Sequence, residues 1–153
     1  MKIMLDDGAK MPTRAHEWDA GLDLYSMEDV IIPAEQQWPF FDFTKGLFMA
    51  TPISVTIDTG VHVEIPEGFV GFIKSKSGLM TKHGIVTDGT IDAHYTGSIR
   101  VCLFNHSSSE YEVKKGDKIA QLVIVPCLLP ELELVDSLEE TDRGDNGFGS
   151  TGR

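Results

Sequence analysis

The chain has 153 residues and a formal net charge of −11, from 24 acidic side chains against 13 basic ones. This charge argues against nucleic-acid polymers as partners, because binding them depends on clustered lysine and arginine side chains. The length fits one domain, no apolar run could cross a bilayer, and the N-terminus lacks the apolar core of a signal peptide, so we expect a cytoplasmic protein without a membrane partner.

The first informative segment is AGLDLYS, residues 20–26. Asp23 lies between Leu22 and Leu24, so in a strand it points to the face opposite theirs. An acidic side chain in a strand is most often solvated, and the segment alone predicts nothing more specific than that.

An aromatic-rich stretch follows at residues 38–48, WPFFDFTKGLF, within an apparent insertion at about residues 34–50. Its aromatic side chains are Trp38, Phe40, Phe41, Phe43 and Phe48. Core packing or a subunit contact is the favoured interpretation. The alternative is an exposed patch that binds a protein partner, since aromatic side chains are enriched at such surfaces.

The remaining chain predicts many short strands separated by turns. In SVTIDTGVHVEIP the side chains of Val55, Ile57, Val61, Val63 and Ile65 alternate on one face, as in a half-buried strand. GFVGFIKS, GSIRVCLFN and KIAQLVIVP have the same character, and only SGLMTKHG could form a short helix. This pattern predicts an all-β sandwich, jelly roll or barrel.

Residues 68–79, GFVGFIKSKSGL, run from a predicted strand into the start of that helix, with Ser77 as its expected N-cap. A hydroxyl, free backbone amides and the nearby Lys74 and Lys76 together form a setting that binds phosphate without a Walker motif. The alternative is an ordinary capped helix end.

Two further polar residues lie in apolar surroundings. Asp92, in GTIDAHYTGSIRV, follows Ile91 and precedes Tyr95, which suits a general base but is also compatible with a β-turn aspartate. Gln121 lies inside the apolar strand KIAQLVIVP and requires a partner, either a structural hydrogen bond or a ligand.

The C-terminal RGDNGFGSTGR, residues 143–153, contains four glycines around one phenylalanine and follows the predicted domain of residues 1–142. Such a terminus normally frays. The alternative is an arm that orders over a ligand, with arginine for an anion, phenylalanine for a flat ring and backbone amides for phosphate oxygens.

Taken in order, five of these segments resemble the motifs of the trimeric deoxyuridine triphosphatase (dUTPase) family, in particular its bacterial and bacteriophage branch. The segments are AGLDLYS, GFIKSKSGL, GTIDAHYTG, GDKIAQLVIVP and RGDNGFGSTG. The resemblance implies a distorted β jelly roll (β-clip), a homotrimer whose active sites are shared between subunits, and hydrolysis of dUTP to dUMP and pyrophosphate with Mg²⁺.

The resemblance also implies roles for individual residues. Asp92 would activate the water that attacks the α-phosphorus, and Tyr95 would pack under the deoxyribose. Asp23 would hold a water on the Mg²⁺, which has no direct protein ligand. Main-chain groups of a hairpin that includes Thr90 and Ile91 would contact the edge of uracil. The phosphate oxygens would be held by Lys76, Ser77, Gly78 and Gln121. From the C-terminal arm, Arg143 would grip the γ-phosphate, Phe148 would stack on uracil, and Gly149, Ser150 and Thr151 would wrap the phosphate chain.

Three positions differ from the usual motifs: Lys76 replaces an arginine, and His94 and Thr96 replace an acid and an arginine around Tyr95. Lysine keeps the charge of arginine but loses its bidentate fork. The hairpin from about Gly84 to Ile91 leaves open whether Thr87 or Asp88 contacts the base. Two alternatives are a dCTP deaminase, which shares the fold, and a regulatory nucleotide-sensing protein.

Overall fold

The computed structural model describes residues 1–34, 40–42, 44, 47–49 and 54–145. These residues form antiparallel strands and one short helix, which confirms the all-β prediction. The elements are β1 Lys2–Leu5, β2 Gly21–Tyr25, β3 Val30–Ile32, β4 Phe40–Asp42, β5 Leu47–Met49, β6 Ser54–Asp58, β7 Val61–Glu64, β8 Phe69–Lys74, α1 Ser77–His83, β9 Ile85–Val86, β10 Asp88–Ile91, β11 Arg100–Asn105, β12 Tyr111–Val113 and β13 Lys118–Pro126.

A four-stranded sheet in the order β10-β8-β13-β2 is the frame for the candidate site. Its register aligns four polar residues in one row across the sheet, where Asp88 pairs with Lys74, Lys74 with Gln121, and Gln121 with Asp23. Residues paired across neighbouring strands lie close together on the same face. The sheet therefore brings together residues that are up to 98 positions apart in the sequence.

The core is formed mainly by branched aliphatic side chains of this sheet and of the three-stranded sheet β6-β11-β9, with further ones from β3, β7 and the connecting segments. Fully burying each such side chain contributes about 1.5–3 kcal/mol. The largest of these buried side chains are Leu24, Ile32, Ile57, Ile73, Ile85, Ile99, Leu103, Ile119 and Leu122. Within the described ranges no helix has the length and apolarity to cross a bilayer.

The prediction of one continuous strand over residues 54–65 is wrong. It consists of β6, which pairs with β11, and β7, which pairs with β1. Between them the chain turns at Gly60, whose φ of 63° is left-handed and whose N–H donates to Asp58 Oδ1 at 2.9 Å. Because Ile57 and Val61 are an even number of residues apart, the alternation continues through the turn and conceals it.

The predicted helix is present, but Ser77 is not its N-cap. Lys76 occupies the N-cap position, and Ser77 is the first helical residue. The helix ends at its C-cap Gly84, which has a φ of 67° and whose N–H donates to Met80 O at 3.2 Å. Glycine adopts this left-handed conformation without the steric cost that a Cβ brings.

The aromatic-rich stretch is described only in part. Phe40, Phe41 and Phe48 lie on the ribbon formed by β4 and β5. Trp38 and Phe43 lie outside the described residues, so a protein partner for residues 38–48 remains a prediction.

Candidate active site

Asp23 is the centre of a buried ionic cluster. Its side chain is 2% exposed, and it accepts hydrogen bonds from Lys76 Nζ at 2.5 Å, Lys118 Nζ at 2.7 Å and Gln121 Nε2 at 3.3 Å. The expectation that the Asp23 carboxylate is exposed to solvent is therefore wrong. Two ammonium groups face one carboxylate, so the cluster has a net positive charge on a strongly acidic chain.

The protonation states of this cluster are set by its contacts. Burial by itself raises the pKa of Asp23, but the hydrogen bonds from Lys118, Lys76 and Gln121 together lower it further, so the net shift is downwards. The hydrogen bond to Asp23, followed by its charge, raises the pKa of Lys118. Near neutral pH the cluster therefore contains an ionised Asp23 and a protonated Lys118.

Lys118 is the member of the cluster that the sequence analysis missed. It opens β13 three residues before Gln121, in GDKIAQ. A lysine at the start of a strand is ordinary, and the one available signal was its place within a motif segment that already contained Gln121.

Gly21 makes room for the Gln121 side chain. A Cβ at position 21 would lie 3.0 Å from Gln121 Cδ and 3.2 Å from its Oε1, closer than ordinary van der Waals contact. Gln121 therefore has the structural partner that its apolar strand requires, and it reaches that partner through a gap that the glycine leaves.

The first turn of α1 lies beside the cluster with an open backbone. Among the described residues no side chain caps the turn, and no heavy atom lies within 4 Å of where a Cβ on Gly78 would stand. Backbone N–H groups in a first helical turn have no intrahelical acceptor. Lys76, Ser77 and Gly78 thus present one ammonium group, one hydroxyl and free amides next to Gln121.

The hairpin after α1 is fixed to the strand before it. Ser75 Oγ donates to Thr87 O at 2.8 Å and accepts from Thr87 N–H at 2.9 Å. Thr87 is buried, and its Oγ1 has no hydrogen-bond partner in the described part of the chain. Asp88 is exposed and pairs with Lys74 at 2.5 Å. Thr87 and Asp88, the two residues that the sequence offered as contacts for the base, therefore differ in burial.

Asp92 begins a tight turn that ends at Tyr95, whose N–H donates to Asp92 O at 3.2 Å. The Tyr95 hydroxyl donates to Ser98 O at 3.0 Å, and its ring covers Gly97 so closely that a Cβ there would lie 2.5 Å from Tyr95 Oη. His94 adopts a left-handed φ of 67° in the turn. Asp92 therefore occupies the first position of a turn, and its role as a general base stays a prediction.

Asp92 is exposed and lines a groove of about 520 Å³ whose other walls include Phe69, Phe72, Thr90 and His94. Thr90 is exposed on β10, whereas Ile91 is buried in the core. The groove combines apolar walls with two carboxylates, Asp92 and Glu67, of which Glu67 pairs with His94 at 3.3 Å. Apolar walls with a few polar groups are the usual character of a small-molecule site.

Within one chain, the Asp92 turn and the Asp23 cluster lie at opposite ends of β8. Ile91 pairs with Gly71 and Asp88 with Lys74, and three residues span about 10 Å along a strand. Asp92 follows Ile91 near the start of β8, and Lys76 follows the last residue of β8, Lys74, by two positions. The structure therefore brings Asp23, Lys76, Ser77, Gly78 and Gln121 together and keeps Asp92 and Tyr95 apart from them.

The predicted C-terminal arm is described only at its start. Arg143 is exposed. Phe148, Gly149, Ser150 and Thr151 lie outside the described residues, so their roles remain predictions.

The donor set argues against a resident metal ion at Asp23. The described residues contain no group of three or more histidine, cysteine, aspartate or glutamate side chains suited to a metal. The Asp23 carboxylate already faces two ammonium groups, which repel a cation. A magnesium ion carried by a phosphate ligand fits this environment better than a protein-bound one, since Mg²⁺ is commonly bound through substrate phosphates.

Comparisons with known proteins identify relatives of this chain. Deoxyuridine 5'-triphosphate nucleotidohydrolase of Clostridium acetobutylicum is 40% identical over 151 residues, which cover 97% of this chain and 92% of the relative. The dUTPase of Staphylococcus bacteriophage 80alpha, solved with dUPNHPP, has a TM-score of 0.82 at 32% identity, covering 99% of this chain and 98% of the phage chain.

A second solved phage structure is described in terms of a bound magnesium ion. The dUTPase of phage phi11 of S. aureus, in a mutant form described as revealing the coordination of a structural Mg(II) ion, has a TM-score of 0.73 at 30% identity and covers 91% of this chain and 98% of its own. The family model described as dUTPase matches residues 44–152. The chain therefore belongs to the dUTPase family, and its strands form the jelly-roll fold of that family.

Proposed function

We propose that this protein hydrolyses dUTP to dUMP and pyrophosphate, by attack of a water molecule on the α-phosphorus. The observation that carries the proposal is the presence of two complementary half-sites near opposite ends of β8. One is a positive cluster beside an open helix start, and the other is an apolar groove with a carboxylate. Phosphoryl transfer depends mainly on positioning and charge neutralisation, which these two surfaces provide.

The Asp23 cluster is the phosphate half of the site. Lys76, Ser77, Gly78 and Gln121 bind phosphate oxygens, and their positive charge and amides offset the field of an acidic chain. The Lys76 side chain is 22% exposed and can turn towards a phosphate while Lys118 and Gln121 remain on Asp23. Asp23 would hold a water of a Mg²⁺ ion bound to the triphosphate, and that ion would supply charge neutralisation of the phosphates.

The groove is the nucleoside half of the site. Main-chain groups of the hairpin from about Gly84 to Ile91, including those of Thr90, contact the edge of uracil. Tyr95 packs under the deoxyribose, held in place by its bond to Ser98. Asp92 is exposed at the groove and acts as the general base for the attacking water.

We propose that a complete site needs more than one copy of the chain and that the assembly is a homotrimer. The two half-sites lie more than about 10 Å apart in one chain, too far for one water to contact both. The segment after β13 also carries side chains that are at least 80% exposed, as expected of a segment that packs on another subunit: Leu128, Leu129, Leu132, Leu134 and Leu138. The arm from this segment supplies Arg143 to the γ-phosphate, Phe148 to uracil and residues 149–151 to the phosphate chain.

Replacing Asp92 tests the proposed chemistry. Asp92→Asn removes the base while keeping the shape, so pyrophosphate release should fall at least about a hundredfold while a non-hydrolysable dUTP analogue still binds. Glu110→Gln, at an exposed position away from both half-sites, is the matched control. Undiminished turnover by Asp92→Asn, or ammonia release from dCTP by the unmodified protein, would contradict the proposal.

Deleting residues 143–153 tests the arm. The truncated protein should keep its fold and oligomeric state, because the core elements all lie earlier in the chain. Its dUTP turnover should be largely lost, since the arm closes over the phosphates and base. Normal turnover by the truncated protein would show that the arm has no part in the site.

A regulatory role is the second candidate. The structure of the phage 80alpha relative is described in connection with control of the transfer of virulence genes. A protein that binds a dUTP analogue but shows no turnover with Mg²⁺ would favour a nucleotide-sensing module over an enzyme.

A cytoplasmic location remains a prediction, which fractionation of the producing cells would test.

A further inference from the structure

His62 lies on β7, outside all five motif segments, and bonds to the turn that carries Asp92 and Tyr95. Its Nδ1 lies 2.8 Å from Thr96 O, and its Nε2 lies 3.2 Å from Asp6 Oδ1. The side chain is 17% exposed. Thr96 directly follows Tyr95, so His62 connects the turn to the segment after β1.

Both contacts of His62 are acceptors. A backbone carbonyl accepts at Nδ1 and an ionised carboxylate at Nε2, whereas a neutral imidazole carries only one N–H. Making both bonds at once therefore requires the imidazolium form. The pKa of His62 is raised in agreement with this, first by the bond to Thr96 and then by the bond to and charge of Asp6 and the charge of Asp58, against a lowering by burial.

The other charged groups around His62 are already paired. On the strands β1 and β7, Lys2 and Glu64 line the same groove as His62 and bond to each other at 2.9 Å. Asp58, at the end of β6, accepts from Ser98 Oγ and lies 3.6 Å from Arg100 Nε. Asp6 is thus the charged group that bonds directly to the imidazole.

Bonding at Thr96 matters because the turn is otherwise fixed further along. Ile99 N–H donates to Val61 O at 2.8 Å, and Thr59 Oγ1 donates to Ile99 O at 2.7 Å. Together with the bond from Ser98 Oγ to Asp58, these bonds secure the chain three and four residues after Tyr95. The His62 contact moves the attachment to Thr96, the residue next to Tyr95.

We propose that His62 is a positioning residue for the proposed reaction, which in its imidazolium form ties Thr96 to Asp6 and thereby holds the turn that presents Asp92 and Tyr95. Only the kinetic test of this inference rests on the proposed function, because kcat and KM require dUTP turnover. The bonds themselves can be measured without any nucleotide.

The direction of the pH effect follows from the contacts. Below its folded-state pKa, His62 donates to both acceptors. As the pH rises through that value one N–H is lost, so either Thr96 or Asp6 loses its donor and the turn is held less firmly. The contribution of His62 to turnover should therefore be present at lower pH and decline as the pH rises.

Two variants separate the charge of His62 from its shape. His62→Ala removes both bonds, and kcat should fall about threefold to tenfold at neutral pH with KM changed less than about twofold. Asp6→Asn offers an amide that can donate to Nε2 of a neutral imidazole while Nδ1–H still donates to Thr96. The decline with rising pH should then disappear, whereas the matched control Asp7→Asn should keep it.

The experiment measures kcat and KM from about pH 5.5 to about pH 9, together with NMR titration of His62 and hydrogen exchange of the Gly97 amide. We expect an elevated His62 titration and faster Gly97 exchange in His62→Ala. A wild-type protein without dUTP turnover would refute the proposed function, and the NMR and exchange results would still decide the inference. Unchanged kcat and Gly97 exchange in His62→Ala, or, if that variant does not fold, an unaltered pH profile in Asp6→Asn, would overturn it.

Discussion

The Asp23 cluster predicts that two equivalent carboxylate-to-amide substitutions differ strongly in their effect on the free energy of unfolding. Asp23→Asn and Glu64→Gln each convert a carboxylate that pairs with lysine into an amide of the same shape. Asp23 is buried and accepts three hydrogen bonds, whereas Glu64 and its partner Lys2 have side chains 58% and 84% exposed. The comparison therefore isolates the effect of burial and of the additional donors.

The expected magnitudes differ by more than a factor of two. Hydrogen bonds to a charged group contribute about 1.5–3 kcal/mol, and breaking a fully buried ion pair costs about 3–5 kcal/mol. Because Lys76 and Lys118 are partly exposed and can recover water, we expect Asp23→Asn to lower the free energy of unfolding by about 2 kcal/mol. Glu64→Gln should lower it by well under about 1 kcal/mol, as for other surface pairs.

Urea unfolding at a fixed protomer concentration is the appropriate assay, since assembly makes stability depend on concentration. A carboxyl whose folded-state pKa is depressed contributes stability above its unfolded-state pKa and loses it as the pH falls through the folded value. The gap between Asp23→Asn and the wild type should therefore close at pH values below about 3.8. Equal losses for the two variants at neutral pH, or a gap that persists in acid, would refute this account of the cluster.

Three further substitutions follow from the same structure. Gly71→Ala would place a Cβ 2.8 Å from Ile65 Cδ1 in the core, so urea unfolding should show a loss of about 1–3 kcal/mol. Gly97→Ala would displace the Tyr95 ring, and KM for dUTP should rise several-fold while the unfolding midpoint changes little, since Tyr95 is 44% exposed and lies outside the core. Lys118→Gln should weaken binding of a dUTP analogue in titration calorimetry, whereas Lys118→Arg should retain most of it because the charge is kept.

Local patterns predicted the strand content of the fold but not its pairing. Strand-like patterns located β8, β11 and β13. Burial alternates along β8 and β11, whereas β13 has a register shift between Lys118 and Ala120 and was located by its apolar character. Alternation joined β6 and β7 into one strand, since Ile57 and Val61 keep even spacing across the turn at Gly60. Helix α1 was predicted with its N-cap one residue late, because a serine is a better capping residue than the lysine that occupies the position.

Motif order predicted most of the candidate site, and three-dimensional pairing supplied the rest. Asp23, Lys76 and Gln121 were identified from their segments, but their mutual contacts depend on the register of three strands. The burial of Asp23 could not be predicted, because the lysines that permit it lie 53 and 95 positions away. His62 gave no signal for the same reason, as its partner Thr96 is 34 residues further along the chain.

The separation of the half-sites has a consequence for mixtures of inactive chains. Asp92→Asn lacks the general base but keeps an intact cluster, and Gln121→Ala loses part of the cluster but keeps Asp92. If each site combines the groove of one chain with the cluster of another, about a quarter of the sites in randomly mixed trimers should contain two intact halves. Refolding the two variants together should therefore restore about a quarter of wild-type turnover, whereas mixing them without subunit exchange should restore none. Activity that stays absent after refolding, with mixed trimers demonstrated by mass spectrometry, would place both halves of each site on one chain.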